Sequence, residues 1–216
     1  MTESVPDVDP DADGPAHSLE VEAKFDVDAD TPLPDLSGLP GVARVGEPEP
    51  RDLDARYLDT ADFALASAGY ALRRRTGGPD AGWHIKGPLQ GGARLELHWP
   101  LTSEDAVPAP VLSALAEVSD AALTPIARIR NQRTAYGLLD SDGGVVVEFV
   151  DDHVNARDER AGLERSWREW EFELGPAAPA DDEARDALFT AIAAAVTAAG
   201  GRVAASASKL ARTLGH

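Results

Sequence analysis

The sequence predicts an α+β fold: an eight-stranded antiparallel β-barrel, closed as a tunnel with a charged interior and flanked by helices. Three observations support this prediction. About eight segments alternate between polar and apolar residues, as strands that are buried on one face do. Within these segments, charges of one sign recur at every second position, as in Glu169, Glu171 and Glu173. An Ala-rich segment near the C-terminus is long enough to form a helix that covers a sheet.

Length and composition limit the classes of protein to consider. At 216 residues with 43% hydrophobic content, the chain suits one domain with a substantial core. The formal net charge of −18 argues against binding of a nucleic acid polymer, which a basic surface attracts. The lack of cysteine excludes disulfides, zinc–thiolate sites and a thiol nucleophile. No apolar stretch approaches the roughly 18 residues of a membrane span, and no secretory signal is visible. We therefore expect a cytoplasmic protein without a membrane partner.

Residues 1–17 are acidic, contain proline and have almost no large apolar side chains. This composition predicts a disordered tail, so the folded domain is expected to span residues 18–216. Alternation then predicts strands at 19–27, 51–59, 70–76, 83–90, 93–101, 125–140, 144–156 and 166–175. Proline and glycine at 28–41, 77–82 and 141–144 predict the loops and turns between them.

Helices are predicted in four places. Thr60 is expected to be the N-cap of a short helix that ends by Gly69, and residues 103–119 contain a second helix. The Ala-rich segment Asp181–Ala199 opens with acidic residues, which favour a helix N-terminus, and is followed by two glycines. A last helical segment covers 204–214.

Side chains at every second position of a strand share one face, so the strands define rows of charges. The first strand places Glu20, Glu22 and Lys24 together. The other rows are Arg73–Arg75, His84–Lys86, Arg94–Glu96–His98, Arg128–Arg130, Glu148–Asp152 and Glu169–Glu171–Glu173. A bulge in the strand at 125–140 would bring Arg133 to the same face as Arg130.

Two interpretations of these rows are open. An ordinary antiparallel sheet turns such a face to water, and each strand taken alone favours that interpretation. A face selected only for solubility would mix signs, however, whereas several of these rows repeat one sign. The whole set favours a closed sheet with its charges inside, where carboxylates bind Mg²⁺ or Mn²⁺ and Lys and Arg bind phosphate. A polyphosphate or a nucleoside triphosphate would match both.

The lysines carry separate information. Of 20 basic residues only three are lysine, namely Lys24, Lys86 and Lys209. If the arginine bias reflects a GC-rich genome, these lysines mark positions where a compact point charge is needed instead of a planar fork. Chance survival on the surface is the alternative, and the count alone does not decide between the two.

Several segments, in this order along the chain, resemble the conserved blocks of the CYTH superfamily, the triphosphate tunnel metalloenzymes. Glu20-Val-Glu22-Ala-Lys24 resembles the E-x-E-x-K signature of the family's first strand. The other matching segments are YLDTADFALASAGYALRRR, HIKGP, RLELH, RNQR, EFVDDHV, REWEFEL and ASASKL. The resemblance covers residues 18 to about 212, and all three lysines fall on lysine positions of the family.

This resemblance implies a tunnel that binds a triphosphate together with Mg²⁺ or Mn²⁺. It implies catalytic roles for Glu20, Glu22 and Lys24. The implied phosphate-binding residues are Lys24, Arg73, Arg75, Lys86, Arg94, Arg130, Arg133 and Lys209. The implied metal ligands are Glu20, Glu22, Glu96, Asp152, Glu169 and Glu171, with Glu148 and Glu173 as further acidic residues. Supporting or packing roles are expected for His84, His98, Trp83, Trp99, Trp167 and Trp170.

Three functions stay open after the sequence. The leading one is metal-dependent hydrolysis of inorganic triphosphate or of a small organic triphosphate. A class IV-type adenylyl cyclase, which converts ATP to cyclic AMP, shares the implied fold, although no base-reading feature is visible in the sequence. A non-catalytic binder of polyphosphate or nucleotide is the third. In each case the expected partner is a triphosphate-containing small molecule, and the sequence does not distinguish a monomer from a homodimer.

Overall fold

The computed structural model describes residues 14–102, 106–206 and 208–216 of the chain. The strands are β1 (Ala16–Glu20), β2 (Glu22–Val27), β3 (Arg44–Val45), β4 (Glu49–Asp59), β5 (Ala71–Thr76), β6 (Gly82–Gln90), β7 (Ala93–Pro100), β8 (Thr124–Leu139), β9 (Val145–Asp158), β10 (Leu163–Leu174) and β11 (Arg202–Val203). The helices are α1 (Ala64–Ser67), α2 (Ala109–Leu115), α3 (Asp182–Ala199) and α4 (Lys209–Leu214). All these strands pair antiparallel within one sheet, which confirms the predicted sheet-rich α+β class.

Hydrogen bonds connect the strands in the order β1–β7–β6–β5–β4–β8–β9–β10–β2–β11, and β3 pairs with β8. β1 and β2 are separated in sequence by Val21 alone, yet they lie near opposite ends of this order. The two edge regions of the sheet are therefore connected covalently, through Val21. Within the described residues no ladder of hydrogen bonds closes the sheet, so the predicted closed barrel is not confirmed.

The first predicted strand, 19–27, is in fact two strands, because β1 pairs with β7 while β2 pairs with β10. β1 begins at Ala16, inside the predicted tail of residues 1–17, since both Ala16 and His17 pair with β7. Residues 1–13 of that tail lie outside the described residues. The short strands β3 and β11 have no counterpart in the sequence prediction.

Helix α1 begins later than the sequence predicts. Its N-cap is Phe63, whose backbone is left-handed (φ 60°), and not Thr60. The Thr60 hydroxyl nevertheless accepts a hydrogen bond from the Ala64 amide at 2.8 Å. The Asp59 carboxylate accepts a second one from the Leu65 amide at 3.0 Å. These side chains therefore fix the turn that leads from β4 to β5.

Helix α3 covers the outer face of the sheet. Its N-cap is Asp181, whose side chain accepts a hydrogen bond from the Ala184 amide at 2.8 Å, as the predicted start requires. The buried side chains of this helix pack on buried apolar residues of β2, β9 and β10. This core cluster includes Leu188, Ile192, Val196, Phe25, Phe149, Trp170 and Phe172. The apolar sides of β2, β9 and β10 at this place therefore face outward, toward α3.

Helices α1 and α2 cover a second part of the outer face, over β5, β6 and β7. Leu65 of α1 and Val111 and Leu115 of α2 form one buried cluster with Leu72, Trp83, Ile85 and Trp99. Trp83, Trp99 and Trp170 thus pack outside the sheet. This placement agrees with the packing role predicted for them.

Helix α4 packs on the inner face instead. Its Leu210 belongs to a buried cluster with Tyr57, Ile129 and Val154, which come from three different strands. At the end of the helix, the carbonyl of Thr213 accepts a hydrogen bond from Arg165 of β10 at 2.7 Å. Apolar side chains and this short helix therefore fill one end of the space that the sheet surrounds.

Among the described residues, none of the helices has the length and apolar character that crossing a bilayer requires.

Candidate functional site

The inner face of the sheet encloses a cavity of about 610 Å³. Cationic side chains on its wall are Lys24, Arg51, Arg73, Arg75, Lys86, Arg94, Arg133 and Lys209. Acidic side chains on the wall are Glu20, Glu22, Asp80, Glu96, Glu148, Glu171 and Glu173. All three lysines of the chain therefore face one space in a protein that carries 20 basic residues.

Strand periodicity explains how these charges come to face inward. In β10, Glu171 and Glu173 line the cavity, while Trp170 and Phe172 are buried in the outer core beneath α3. The same alternation in β5 turns Arg73 inward and leaves Leu72 in the outer core. Burial of the outer face thus fixes the orientation of the charged face.

One group of charges lies where β2, β8, β9 and β10 meet α4, and we call it the Lys209 cluster. It consists of Lys24, Arg133, Lys209, Asp152, Glu169 and Glu171. The ammonium of Lys209 lies 2.8 Å from Asp152, 2.5 Å from Glu169 and 2.8 Å from Glu171. The guanidinium of Arg133 donates to both carboxylate oxygens of Asp152 at 2.8 and 2.7 Å, and to Glu171 at 2.9 Å. Each buried carboxylate in this cluster therefore has a cationic partner.

These contacts determine the ionisation of the buried carboxylates. Burial opposes the charged form of Glu171, yet Lys209, Lys24 and Arg133 hold its pKa well below the ordinary value. Burial likewise opposes the charged form of Lys209, but Asp152, Glu171 and Glu169 raise its pKa overall. Charges of both signs in this cluster are therefore fixed by one another.

The Lys209 cluster also has the donor set of a metal site. Asp152, Glu169 and Glu171 each offer a carboxylate oxygen, and these oxygens lie within 4.8 Å of one another. Carboxylate oxygens are the hard ligands that Mg²⁺ and Mn²⁺ prefer. The residues present therefore fit a divalent cation, and the ammonium of Lys209 lies at the centre of the same three carboxylates.

A second group of charges lies on β1, β5, β6 and β7, and we call it the Arg75 cluster. It consists of Arg73, Arg75, Lys86, His84, Glu20, Glu96 and Asp80. The ammonium of Lys86 lies 2.6 Å from Glu20 and 3.1 Å from Glu96. A guanidinium nitrogen of Arg73 lies 3.3 Å from Glu96. Two carboxylates therefore serve several cations in this cluster.

Carboxylates and imidazole are closely coupled in the Arg75 cluster. Burial, together with a hydrogen bond to Glu96, raises the pKa of Glu20 to about 8. Burial opposes ionisation of Glu96, but the hydrogen bond with His84 and the charge of Arg73 lower its pKa overall. Burial also lowers the pKa of His84 to about 4, and its ring lies 4.7 Å from that of His98. Both histidines lie on the cavity wall.

Most of the predicted site residues line the cavity. They are Glu20, Glu22, Lys24, Arg73, Arg75, Lys86, Arg94, Glu96, Arg133, Glu171 and Lys209. Asp152 and Glu169 do not reach the wall, because both are buried behind it in contact with Lys209. Trp167 packs beside α4, with Arg212 4.8 Å above its ring.

Arg130 is the predicted site residue that the structure places on the opposite face of the sheet from the cavity. β8 pairs with both of its neighbours in unbroken register between Arg130 and Arg133, so the bulge suggested by the sequence is absent there. The two arginines therefore lie on opposite faces of the sheet. Arg130 is 63% exposed on the outer face, 3.7 Å from Asp54.

Two of the acidic, lysine and arginine side chains on the wall, Arg51 and Asp80, were not predicted from the sequence. Arg51 is opposite Arg133 in the β4–β8 ladder and donates to both oxygens of Glu148 at 3.1 and 3.2 Å. Its position, two residues before Leu53 on the inward row, was a usable signal. Asp80 lies in the turn between β5 and β6, where alternation gives no information about direction.

The sequence of this chain is similar to one family model and to two curated proteins. The family model described as CYTH domain matches residues 18–193. Two uncharacterized proteins of Mycobacterium tuberculosis, Rv2226 from strain H37Rv and MT2285 from strain CDC 1551, are each 41% identical to this chain over 217 residues. The match covers 95% of this chain but 42% of each relative, so the chain spans less than half the length of these curated relatives.

Solved structures with low sequence identity share the fold. A putative adenylate cyclase from Bacillus halodurans has a TM-score of 0.60 at 20% identity, covering 91% of this chain and 97% of its own. The putative adenylyl cyclase HpAC1 from Hippeastrum, described as having a dominant triphosphatase activity, has a TM-score of 0.54 at 16% identity, with 91% and 94% covered. The PH1819 protein from Pyrococcus horikoshii has a TM-score of 0.55 at 17% identity, with 90% and 98% covered.

Proposed function

The chain belongs to the CYTH domain family, and we propose that it is a divalent-metal-dependent hydrolase of inorganic triphosphate or a small organic triphosphate. The family includes triphosphatases and adenylyl cyclases, and its members bind triphosphate or nucleotide substrates with a divalent metal. The observation that carries the proposal is the cavity wall, where every lysine of the chain and five arginines face buried carboxylates.

The charge distribution supports an anionic substrate. The whole chain has a formal net charge of −18, which repels anions at long range. The cavity concentrates cations against this background, and guanidiniums such as Arg73 and Arg75 offer paired donors to phosphate oxygens. A site that collects phosphate therefore depends on these local cations.

The carboxylates support a divalent cation as the second requirement. Asp152, Glu169 and Glu171 would hold it, and Glu20 and Glu22 from the first two strands offer further carboxylates on the cavity wall. When bound, such a cation supplies positive charge that polarises phosphoryl oxygens. A pure anion binder would gain nothing from so many inward carboxylates.

The chain's own residues then have separable tasks. Lys24 contacts Glu22 and Glu171, so it lies where the carboxylates of β2 and β10 meet. Arg73 and Lys86, on the opposite wall, orient the phosphate chain from the other side. Catalysis of phosphoryl transfer consists mainly of such positioning and charge stabilisation. We propose that Glu20, Glu22 and Lys24 act closest to the reacting phosphate.

The lining also favours hydrolysis over cyclisation of ATP. A cyclase must bind adenine and orient the ribose. Among the described lining residues the aromatic rings are Tyr57 and three histidines, and Tyr57 is hydrogen-bonded to Arg73. Neither Trp nor Phe lines the described wall, and this supports hydrolysis over cyclisation.

Phosphate release tests the proposal. Purified protein is incubated with inorganic triphosphate, ATP and thiamine triphosphate, each with Mg²⁺, with Mn²⁺ and with EDTA. We expect metal-dependent release from at least one substrate, reduced at least about 100-fold by Glu22→Gln. Glu47→Gln, an exposed residue outside the cavity, makes the same charge change and should retain activity.

The alternatives give different results in the same assay. Release of no phosphate from any substrate, together with triphosphate binding by calorimetry, would indicate a non-catalytic binder. Cyclic AMP and pyrophosphate as the products from ATP, identified by mass spectrometry, would indicate a cyclase and overturn the proposal.

A further inference from the structure

We propose that Asp80, in the turn between β5 and β6, determines the anion affinity of the cavity by competing with substrate phosphate for Arg75. The inference rests on the proposed function, because it assumes that a phosphate-containing anion enters this cavity. It adds a residue of this chain that no strand periodicity indicates.

The turn holds Asp80 in a defined place. Gly77 at its start has φ +77°, and a side chain there would collide with the backbone oxygen of Asp52 in β4. Inside the turn, the backbone oxygen of Asp80 lies 3.0 Å from His84 Nε2. The turn is therefore packed against β4 on one side and against His84 on the other, with the Asp80 side chain on the cavity wall.

The carboxylate of Asp80 forms a salt bridge with Arg75. The two partners differ in their access to solvent, since the Arg75 side chain is 9% exposed and that of Asp80 is 52% exposed. The guanidinium of Arg75 is thus buried, whereas the carboxylate of Asp80 that pairs with it is in contact with solvent.

Two other cavity cations have a different kind of partner. Lys86 contacts Glu20 on β1, and Arg133 contacts Asp152 on β9; both of these carboxylates are fixed on strands. For Arg75, in the part of the chain that the structure describes, the salt bridge comes from a turn. A pair of this kind exchanges more readily, because solvent can replace a carboxylate that is half-exposed.

The surroundings of Arg75 also favour an incoming anion. Burial and the neighbouring guanidiniums of Arg73 and Arg133 lower the pKa of Arg75 to about 9. Arg75 remains charged at neutral pH. Three cations therefore lie close together, beside an Asp80 carboxylate that an anion can displace. A phosphate oxygen accepts from a guanidinium in the same geometry as a carboxylate oxygen does. Asp80 therefore occupies the place that a phosphate group would take.

The proposal predicts the effect of Asp80→Asn. This variant keeps the size of the side chain and removes the competing charge. Inorganic triphosphate should bind about three- to tenfold more tightly, in line with the loss of one exposed ion pair and one repulsive charge. Asp142→Asn, in the exposed turn between β8 and β9, changes the net charge equally and is the matched control.

Calorimetry with inorganic triphosphate in EDTA measures this affinity without turnover, and KM in Mg²⁺ provides a second readout. We expect Kd and KM to fall for Asp80→Asn, while Asp142→Asn matches the wild type. Asp80→Glu, which keeps the charge, should not bind more tightly than the wild type. Equal or weaker binding by a folded Asp80→Asn protein would overturn the inference, because it would mean that Asp80 only positions Arg75.

The outcome is separable from that of the proposed function. If the wild type releases no phosphate but Asp80→Asn binds triphosphate more tightly, the inference holds and the hydrolase proposal fails. If the wild type hydrolyses triphosphate and Asp80→Asn leaves both constants unchanged, the inference fails alone.

Discussion

The Lys209 cluster and the Arg75 cluster line the same cavity but differ in how their charges are balanced. In the Lys209 cluster, three buried carboxylates contact the ammonium of Lys209, and two of them, Asp152 and Glu171, also form salt bridges with Arg133. In the Arg75 cluster, Glu20 carries a raised pKa, and the partner of Arg75 comes from a half-exposed turn. The charges of the first cluster are buried and paired with one another. In the second cluster, a ligand can displace the partner of Arg75 and bind its guanidinium.

This difference separates two tasks that one charged cavity has to perform. Buried ions are costly to remove from water, so a cluster of them persists only when each is paired. The Lys209 cluster satisfies this condition because four strands and α4 each contribute charged side chains that pair with one another. A site must also bind and release an anion, which requires cations whose partners can be displaced. The interlocked ion pairs of the Lys209 cluster therefore stabilise the fold around the residues that would hold a metal, whereas the displaceable partner of Arg75 suits the exchange of an anion.

Asp152→Asn should have the largest effect, because it breaks the interlocked side. Asp152 is fully buried and accepts two hydrogen bonds from Arg133, so the variant leaves buried cations without their partner. We expect the free energy of unfolding in EDTA to fall by about 3–5 kcal/mol, measured by urea denaturation. Asp142→Asn is the control and should change it by less than about 0.5 kcal/mol. A loss for Asp152→Asn no larger than the control's would refute the distinction between the two walls.

Lys209→Met tests whether the ammonium and a metal share the three carboxylates. Removing the ammonium leaves Asp152, Glu169 and Glu171 facing one another, which should cost about 2–4 kcal/mol in EDTA, partly offset by protonation. Mg²⁺ should restore stability to this variant and raise its melting temperature more than it raises that of the wild type. Equal shifts in the two proteins would show that Mg²⁺ does not bind where the ammonium lies.

A third prediction concerns pH and the Arg75 cluster. Glu20 has a pKa of about 8 in the folded chain against 4.5 ordinarily, so the folded state holds an extra proton between about pH 4.5 and pH 8. Stability in EDTA should therefore fall as pH rises through this window, by about 2 kcal/mol from pH 6 to pH 8. Glu20→Gln stays neutral and should lose this part of the slope. Urea denaturation of both proteins at the two pH values gives the comparison, and identical slopes would contradict it.

Much of both clusters could be predicted from the sequence, because side-chain direction in a strand is a local property. The row Glu169–Glu171–Glu173 and the pair Arg73–Arg75 need only a period of two and an apolar opposite face to be placed. The predicted helix with Lys209 is also found, although α4 begins at residue 209 and not at 204. Local patterns were therefore sufficient for these residues.

The remaining features depend on tertiary structure. The chain breaks at Val21, so that β1 pairs with β7 and β2 pairs with β10. Glu20 and Glu22 look like members of one strand in the sequence, but they lie on strands near opposite ends of the hydrogen-bonded order. The position of α4 inside the sheet follows from apolar residues contributed by several strands, which no single segment reveals. Asp80 and its salt bridge depend on the path of a turn. These are the places where a sequence-based account of the site is incomplete.

Arg130→Ala should have the smallest effect and marks the outer limit of the site. Arg130 lies on the outer face at 63% exposure, with Asp54 3.7 Å away, so its ion pair contributes about 0–1 kcal/mol to stability. Phosphate release should stay within about twofold of the wild type, since surface substitutions change little. Arg133→Ala, three residues along the same strand, removes an inward guanidinium bonded to Asp152 and should abolish metal-dependent release. A large loss of activity in Arg130→Ala would place a phosphate contact on the outer face and contradict the register of β8, on which the inward assignment of Arg133 depends.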